Sequence, residues 1–119
     1  MFSKDAAVLQ GTIELLVLKR LSHGPMHGYG IASWIETATE DVLSVEEGSL
    51  YPALYRMVQK KWIKGEWGIS ENNRRAKFYR LTPAGEREFE QQASGWLRLS
   101  GAVSRAVTRA ALPDVRGGR

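Results

Sequence analysis

The chain has 119 residues, of which 43% are hydrophobic and 25% charged, which suits one globular domain rather than a disordered segment. The net charge of +4 at pH 7 favours a polyanionic partner, either nucleic acid or an anionic membrane surface. The chain has no cysteine, so disulfides, thiolate nucleophiles and thiolate zinc sites are excluded. The first ten residues lack a secretory apolar stretch, and the apolar run at residues 15–18 is too short to span a membrane. We therefore expect a cytoplasmic protein with no membrane partner.

Two helices are predicted in the first forty residues. Residues 11–21 form the first, with Thr12 as its cap and apolar residues over much of its circumference. A helix of this kind is buried on more than one side, so a second helix or a partner chain must cover the extra face. The glycine and proline at residues 24–25 break the chain, and residues 27–38 form the second helix.

A third helix is predicted within residues 45–61. Ser44 and Glu47 have the spacing of a capping box, in which each side chain accepts a hydrogen bond from the other residue's backbone N–H. Pro52 lacks the N–H that would bond to Gly48, so we expect the regular helix to begin between Ser44 and Gly48. The inner stripe of this helix is apolar and consists of Leu50, Leu54, Met57 and Val58.

A β-hairpin is predicted next, because residues 63–69 and 77–81 have the composition of two short strands. Between them lies a polar turn segment whose asparagines, Asn72 and Asn73, tolerate left-handed backbone. We expect the hairpin tip at residues 72–75. Four basic residues fall within seven positions of this segment: Arg74, Arg75, Lys77 and Arg80.

A long last helix is predicted over residues 83–112, followed by a flexible tail at residues 113–119. Threonine at the N-cap (Thr82) and proline in the first helical position are a strong start pattern. Apolar residues recur along this helix at coiled-coil intervals: Phe89, Ala93, Trp96, Val103 and Val107. Gly95 and Gly101 weaken the helix, so we expect it to kink or to end early.

Three helices, a hairpin and a long helix, in this order, indicate a winged helix-turn-helix fold, mainly α with a small β-hairpin. In that fold the third helix enters the major groove of double-stranded DNA and the hairpin contacts phosphates or a minor groove. The exposed N–H groups at Gly48 and Ser49 attract phosphate, whereas arginine pairs with guanine and glutamine with adenine. The outward donors of the third helix are Ser49, Tyr55, Arg56, Gln59 and Lys60.

Alternative interpretations of these residues remain open. The outward face of the third helix is also compatible with an ordinary solvated surface, and the basic hairpin with an edge strand protected by charge. The chain would then be a protein-interaction module that uses the winged fold. No serine lies in a Gly-x-Ser-x-Gly context, and Gly28-Tyr29-Gly30 lacks the third glycine and the preceding strand of a nucleotide-binding loop, so no enzyme is predicted. His23 and His27 do not share a helix face, so no metal or cofactor is predicted either.

Three segments resemble those of PadR-type transcriptional regulators: Gly28-Tyr29-Gly30-Ile31, Gly48-Ser49-Leu50-Tyr51-Pro52-Ala53-Leu54 and Lys77-Phe78-Tyr79-Arg80-Leu81-Thr82-Pro83-Ala84-Gly85. The resemblance spans roughly residues 9–90 and is closest in kind to the short subfamily with a single C-terminal helix. It implies a homodimer that binds an inverted-repeat operator as a repressor. It also implies a role in the recognition helix for Gly48, Ser49, Tyr51, Pro52 and Arg56, and in the wing for Arg74, Arg75 and Lys77, directly after Asn73.

Dimerisation is also expected because one winged domain reads only a few base pairs. A two-fold dimer that places two reading helices about 34 Å apart gains affinity and specificity. The apolar seam of the last helix offers one surface for this contact, although packing within one chain is the alternative. The first helix offers a second surface through Ile13, Leu16 and Val17. The chain accordingly divides into a DNA-binding domain at residues 1–82, a dimerisation helix at 83–112 and the tail.

Trp96 supports a separate hypothesis. In some drug-responsive regulators that this chain resembles, a tryptophan of the corresponding helix lines a pocket for flat ligands at the dimer interface. The resemblance therefore implies a small aromatic effector stacked on Trp96, with plain interface packing as the alternative.

Overall fold

The structure is a computed structural model that describes residues 6–111, with side chains from residue 11 onward. Its elements, in chain order, are α1 (Ala6–Leu21), β1 (Met26–His27), α2 (Gly28–Ala38), α3 (Glu47–Gln59), β2 (Ile63–Ile69), β3 (Arg75–Leu81) and α4 (Pro83–Thr108). This confirms the predicted fold class, mainly helical with a small hairpin and a long C-terminal helix. The predicted flexible tail at residues 113–119 lies outside the described residues.

The core forms around α1, which α2, α3 and α4 all contact. Val17 and Leu18 have no exposed area, and Ile13 has almost none. The other large buried side chains come from α2, α3 and the first residue of β2: Ile31, Ile35, Leu50, Leu54, Met57 and Ile63. The apolar side chains around α1, from which burial on more than one side was expected, are thus covered largely by other helices of the same chain.

The first helix begins five residues earlier than predicted, at Ala6. Thr12 therefore lies inside the helix and does not form its N-cap. Alanine, leucine and glutamine dominate residues 6–10, and their helix propensity outweighs the cost of Gly11 in the interior.

The start of α3 lies within the predicted window, but the predicted capping box is wrong. The N-cap is Glu46, whose side chain makes no capping hydrogen bond, and the helix begins at Glu47. The Ser44 hydroxyl instead donates to a Glu36 carboxylate oxygen of α2 at 3.1 Å. Pro52 is accommodated inside the helix, in the turn that starts at Gly48, where no side chain crowds its ring.

The sheet has three antiparallel strands in the order β1-β3-β2. β3 begins at Arg75, two residues before the prediction, and β1 was not predicted because two residues carry no readable period. At the hairpin tip the Ser70 N–H donates to the Arg74 carbonyl at 2.8 Å. Asn73 has a φ of 60°, which confirms the left-handed turn position expected of an asparagine there.

One threonine ties the base of the hairpin to the helices. The Thr82 hydroxyl accepts from the Gly85 N–H at 3.0 Å, as the predicted N-cap of α4. It also donates to the Lys61 carbonyl at 2.6 Å, and the Thr82 N–H donates to the Trp62 carbonyl at 3.0 Å. The end of α3 and the start of α4 are thereby joined, which fixes the hairpin relative to α3.

The last helix runs without interruption from Pro83 to Thr108, so it ends four residues before the predicted end at residue 112, but neither Gly95 nor Gly101 ends it. Each glycine costs only about 1 kcal/mol in a helix interior, which is too little to end a helix of 26 residues. Near its start α4 packs on the domain through Gly85 and Phe89. Its distal half exposes large apolar side chains: Trp96, Leu97, Leu99, Val103 and Val107.

Candidate nucleic-acid interface

The outward face of α3 has a centre and two flanks. Gly48, Pro52, Tyr55 and Gln59 recur at intervals of four, three and four, which aligns them on one face of the helix, and all four are exposed. Gly48 has no side chain, and the ring of Pro52 is short and offers no donor. Little therefore projects from this part of the helix, and its backbone can approach a surface closely. Tyr55 and Gln59 supply hydrogen-bonding groups at its C-terminal end.

Tyr51 lies on the flank of α3 that faces α2 and the hairpin. A Cβ atom at Gly28 would lie 2.5 Å from the Tyr51 hydroxyl oxygen, so a larger residue there would displace the phenol from its position over the start of α2. The opposite flank, toward α1, carries the exposed Ser49 and Lys60.

Arg56 also lies on the α1 flank, but it does not project freely as the sequence interpretation assumed. Its Nε lies 3.5 Å from a carboxylate oxygen of Glu14, whose side chain is 9% exposed, while that of Arg56 is 36% exposed. Sequence reasoning missed Glu14. The available pattern was a carboxylate beside Ile13, Val17 and Leu18 on an otherwise apolar helix.

The β2–β3 hairpin carries basic residues on both faces, with Arg75 and Lys77 on one and the cross-strand pair Lys64 and Arg80 on the other. The strand register pairs Ile69 with Arg75 and Trp67 with Lys77, which places these four side chains on the same face. The Arg75 guanidinium lies 4.4 Å from the centre of the Trp67 ring, a cation–π contact. Trp67 and Ile69 are exposed, because the hairpin extends beyond the helices that bury Ile63 at its base.

The remaining predicted residues of the hairpin lie in two different places. Arg74 and Asn73 are exposed in the tip. Arg80 lies on the other face of the hairpin, where its guanidinium pairs with Glu66 at 3.3 Å. Three of the four predicted basic residues therefore lie at the tip or on its aromatic face, and the fourth is turned away.

A groove of about 620 Å³ separates the hairpin from α3 and the start of α2. Its lining combines three basic residues with exposed aromatic rings and one acid: Arg74, Arg75, Lys77, Tyr29, Tyr51, Trp67 and Glu71. Arg56 is not among its lining residues, so Tyr51 rather than Arg56 joins α3 to the basic hairpin. Tyr79 lies at the base of the groove, where burial, followed by the nearby Tyr51, raises its pKa above the ordinary value.

His27 has a structural position at the edge of this groove. Its Nδ1 accepts the Gly30 N–H at 3.0 Å and caps α2, and its Nε2 lies 3.7 Å from the Glu71 carboxylate at the hairpin tip. Its ring also meets Phe78 edge-on at 5.2 Å. Within residues 6–111 no cluster of three metal-ligating side chains is present, and no helix there is long and apolar enough to cross a membrane.

A second groove, of about 610 Å³, is apolar and lies between α1, α4 and the end of α2. Leu15, Leu16, Leu43, Trp96 and Leu99 line it. The residues predicted for the dimer interface fall into two groups, those that keep accessible area and those that are used inside the chain. Leu16, Ala93, Trp96, Val103 and Val107 keep accessible area.

Three of the predicted interface residues are used inside the chain. Ile13 and Val17 are buried in the core, so they have no surface left for a partner, which corrects their assignment. Phe89 is half-buried, packs against the core and lies under the Lys19 ammonium, with Nζ 6.0 Å from the ring centre. The start of the seam thus packs within the chain, and its distal part is exposed.

Known proteins resemble this chain in sequence and in structure. Residues 17–91 match the Transcriptional regulator PadR-like family, which covers the end of α1, all of α2 and α3, the hairpin and the first turns of α4. The chain is also 39% identical over 101 residues to an uncharacterised 37.1 kDa protein in transposon TN4556 of Streptomyces fradiae. That alignment covers 85% of this chain but 26% of the relative, so the chain spans about a quarter of the relative's length.

Several solved structures share this architecture, and the matched region covers nearly all of each of those chains. A transcriptional regulator from Clostridium thermocellum is 28% identical with a TM-score of 0.74, over 87% of this chain and 99% of that one. A PadR-like transcriptional regulator from Bacillus cereus is 27% identical with a TM-score of 0.75, over 87% and 98%. This family and these neighbours are transcriptional regulators, not enzymes. The chain therefore belongs to the Transcriptional regulator PadR-like family.

Proposed function

We propose that the protein binds an inverted-repeat operator as a homodimer and represses transcription from it. The single observation that carries this proposal is the groove that brings Tyr51 of α3 together with Arg74, Arg75 and Lys77 of the hairpin. A nucleic-acid strand in this groove would meet cations on one side and the reading helix on the other.

The roles within the interface follow from the chemistry of each group. The low centre of α3 at Gly48 and Pro52 lets the helix enter the major groove, where Tyr55, Gln59, Ser49 and Arg56 reach base edges. Lys60, Asn73 and the basic side chains of the hairpin contact phosphates or a minor groove, which positions the protein without reading sequence. Phosphate contacts of this kind make affinity strongly dependent on salt.

The homodimer proposal rests on the apolar surfaces outside the DNA-binding part. Trp96 and Leu99 of α4, with Leu15 and Leu16 of α1, border the apolar groove, and Val103 and Val107 extend the apolar surface along α4. We assign residues 1–82 to DNA binding and residues 83–112 to dimerisation. A two-fold axis through α4 would present two copies of α3 to adjacent turns of DNA, about 34 Å apart.

Selection from a randomised duplex library tests the operator proposal. We expect the protein to enrich an inverted repeat, and to bind the enriched duplex in a mobility shift with a log–log salt slope of about −5 to −7. That slope corresponds to three or four phosphate contacts in each half-site. A library that yields no enriched sequence, or binding that does not respond to salt, would favour a protein-interaction module instead.

Repression is tested separately by placing the enriched duplex across the start site of a reporter gene. Expression of the protein should lower reporter output, and a variant lacking both wing arginines, Arg74→Ala with Arg75→Ala, should restore it. Increased output from the unmodified protein would contradict a repressor role.

We also propose that a small planar aromatic compound acts as an effector by stacking on Trp96. The apolar groove beside it, about 610 Å³, is of the size that small-molecule sites occupy, and the indole remains 51% exposed. Planar cationic dyes should quench the intrinsic fluorescence saturably, and Trp96→Ala should abolish this. No saturable quenching, or quenching that survives Trp96→Ala, would leave interface packing as the role of Trp96.

A further inference from the structure

One carboxylate lies in the core of the domain without serving the hydrophobic packing around it. Glu14 is only 7% exposed, and the ion pair with the Arg56 Nε at 3.5 Å is the polar contact that faces it from α3. Both atoms of this contact are buried, and neither makes a hydrogen bond within the part of the chain that the structure describes. The pair therefore joins α1 to the reading helix α3 through charge alone.

Stability does not explain a carboxylate at this position. Removing an ion pair from water costs as much as the pair regains, and apolar side chains of similar volume are often equal or better. The neighbours of Glu14 on α1 are apolar core residues, so an apolar side chain would suit this site. The role of the Glu14 carboxylate therefore lies in its effect on the Arg56 side chain.

The contact changes Arg56 in three ways. The carboxylate faces the Nε edge of the guanidinium, so the four N–H groups on Nη1 and Nη2 can point toward a base edge. It also fixes a side chain that otherwise samples many rotamers, so less conformational entropy is lost when Arg56 binds. At the same time, the adjacent negative charge weakens the attraction of Arg56 for any phosphate, whatever the DNA sequence.

We propose that Glu14 is a specificity-determining positioning residue, which orients Arg56 for base recognition and suppresses its sequence-independent attraction to DNA. This inference rests on the proposed function, because it assumes that Arg56 meets base edges. It predicts unequal effects on two kinds of DNA, because loss of the charge strengthens phosphate attraction on both, whereas loss of orientation weakens only the base-specific binding. A residue that only supports the fold would change binding to both kinds by the same factor.

The test compares Glu14→Gln with the unmodified protein on two duplexes of equal length, one enriched from a randomised library and one scrambled. We expect Glu14→Gln to lower the ratio of the two affinities about threefold to tenfold, the size of the ordering cost of one long side chain. Affinity for the scrambled duplex should rise, and its salt slope should steepen by up to about 0.9 in each half-site. Equal changes on both duplexes would overturn the proposal.

Two controls separate positioning from simple charge and packing. Glu90→Gln makes the same change of charge at an exposed site on α4 and should leave the affinity ratio unchanged. In an Arg56→Ala background, Glu14→Gln should no longer alter the ratio, because its effect passes through Arg56. A ratio that falls by the same factor with and without Arg56 would overturn the proposal.

The remaining outcomes are also distinguishable. If circular dichroism shows that Glu14→Gln is unfolded, Glu14→Met keeps the length and apolar packing of the side chain and carries the same expectation. If the unmodified protein enriches no sequence at all, the proposed function fails first. If it enriches an operator and neither Glu14 variant lowers the ratio, this inference fails while the proposed function stands.

Discussion

Gly85 shows how one residue fixes the junction between the hairpin and the last helix. It is the buried residue of α4, and a Cβ atom there would overlap the backbone carbonyl oxygen of Trp62. The same carbonyl accepts the Thr82 N–H, so it cannot move away without breaking that bond. The glycine that ends the sequence motif at residues 77–85 is therefore required by close approach of two backbones.

We expect Gly85→Ala to lower the free energy of unfolding by about 2–4 kcal/mol, because a backbone clash cannot be relieved by a change of rotamer. Urea denaturation followed by circular dichroism measures this change. Gly48→Ala is the matched control, since a Cβ there meets no atom within 4 Å and alanine favours the helix. A destabilisation at Gly85 no larger than the change at Gly48 would show that the junction can shift.

Lys61 has a strained backbone at the end of α3. Its φ of 65° is left-handed, and the Trp62 N–H donates to the Met57 carbonyl at 3.0 Å, which is the Schellman pattern that favours glycine. We expect Lys61→Gly to stabilise the protein by about 0.5–1 kcal/mol. Glycine removes the strain of a left-handed φ, but the unfolded chain gains conformational entropy that offsets part of this gain. Lys60→Gly removes the same charge from an ordinary helical φ and should destabilise, so thermal melting of the two variants should shift in opposite directions.

At the scale of elements, the hairpin is asymmetric. Arg74 and Arg75 lie at the tip, beside the groove to α3, whereas Arg80 points to the other face and is paired with Glu66. Cross-strand alternation produces this division, because side chains two residues apart along a strand share a face. The groove side of the hairpin therefore carries Arg74, Arg75 and Lys77, whereas the other face carries Lys64 and Arg80 together with Glu66.

We expect Arg74→Ala and Arg75→Ala to weaken binding to enriched and scrambled duplexes alike, since phosphates carry no sequence information. The log–log salt slope should become shallower by about 0.9 for each phosphate that the variant no longer binds. Mobility shifts at several salt concentrations measure both effects. Arg80→Ala removes an equal charge from the opposite face, and a similar change of slope for this variant would contradict the assignment.

At the scale of the whole molecule, α4 extends beyond the domain that its first turns pack against. Its 26 residues span about 39 Å, and the distal half buries no side chain within the chain. The exposed apolar residues of this half lie mostly toward one side, with Arg98 and Arg105 on the other. A second copy is the occupant that we propose for this surface.

We expect Val103→Glu to weaken dimerisation at least about 100-fold, because the carboxylate would be buried without a partner. Sedimentation velocity over a range of concentrations measures the change, and the salt slope on DNA should fall toward half its value. Ala102→Glu introduces the same charge one residue away, about 100° around the helix from Val103, and should leave the dimer intact. Equal sedimentation of the two variants would place the interface elsewhere.

The local pattern predicted what depends on neighbours along the chain. Helical spacing located the helices, and Thr82 with Pro83 located the start of α4, because a cap and a fixed φ act within one turn. It failed at Ser44, whose hydroxyl bonds to Glu36 of another helix rather than to its own helix start. A side chain with two possible partners cannot be assigned from spacing alone.

The sequence by itself determined the winged helix-turn-helix order, the basic hairpin and the family resemblance, since these need only the types and spacing of residues. Only the tertiary structure decided that Ile13 and Val17 belong to the core rather than to a dimer interface. It also decided that Tyr51, not Arg56, joins α3 to the basic groove, and that Arg56 is paired with Glu14 forty-two positions earlier. Those outcomes depend on which helix packs against which, and burial and ion pairing are set by contacts between residues far apart in the chain.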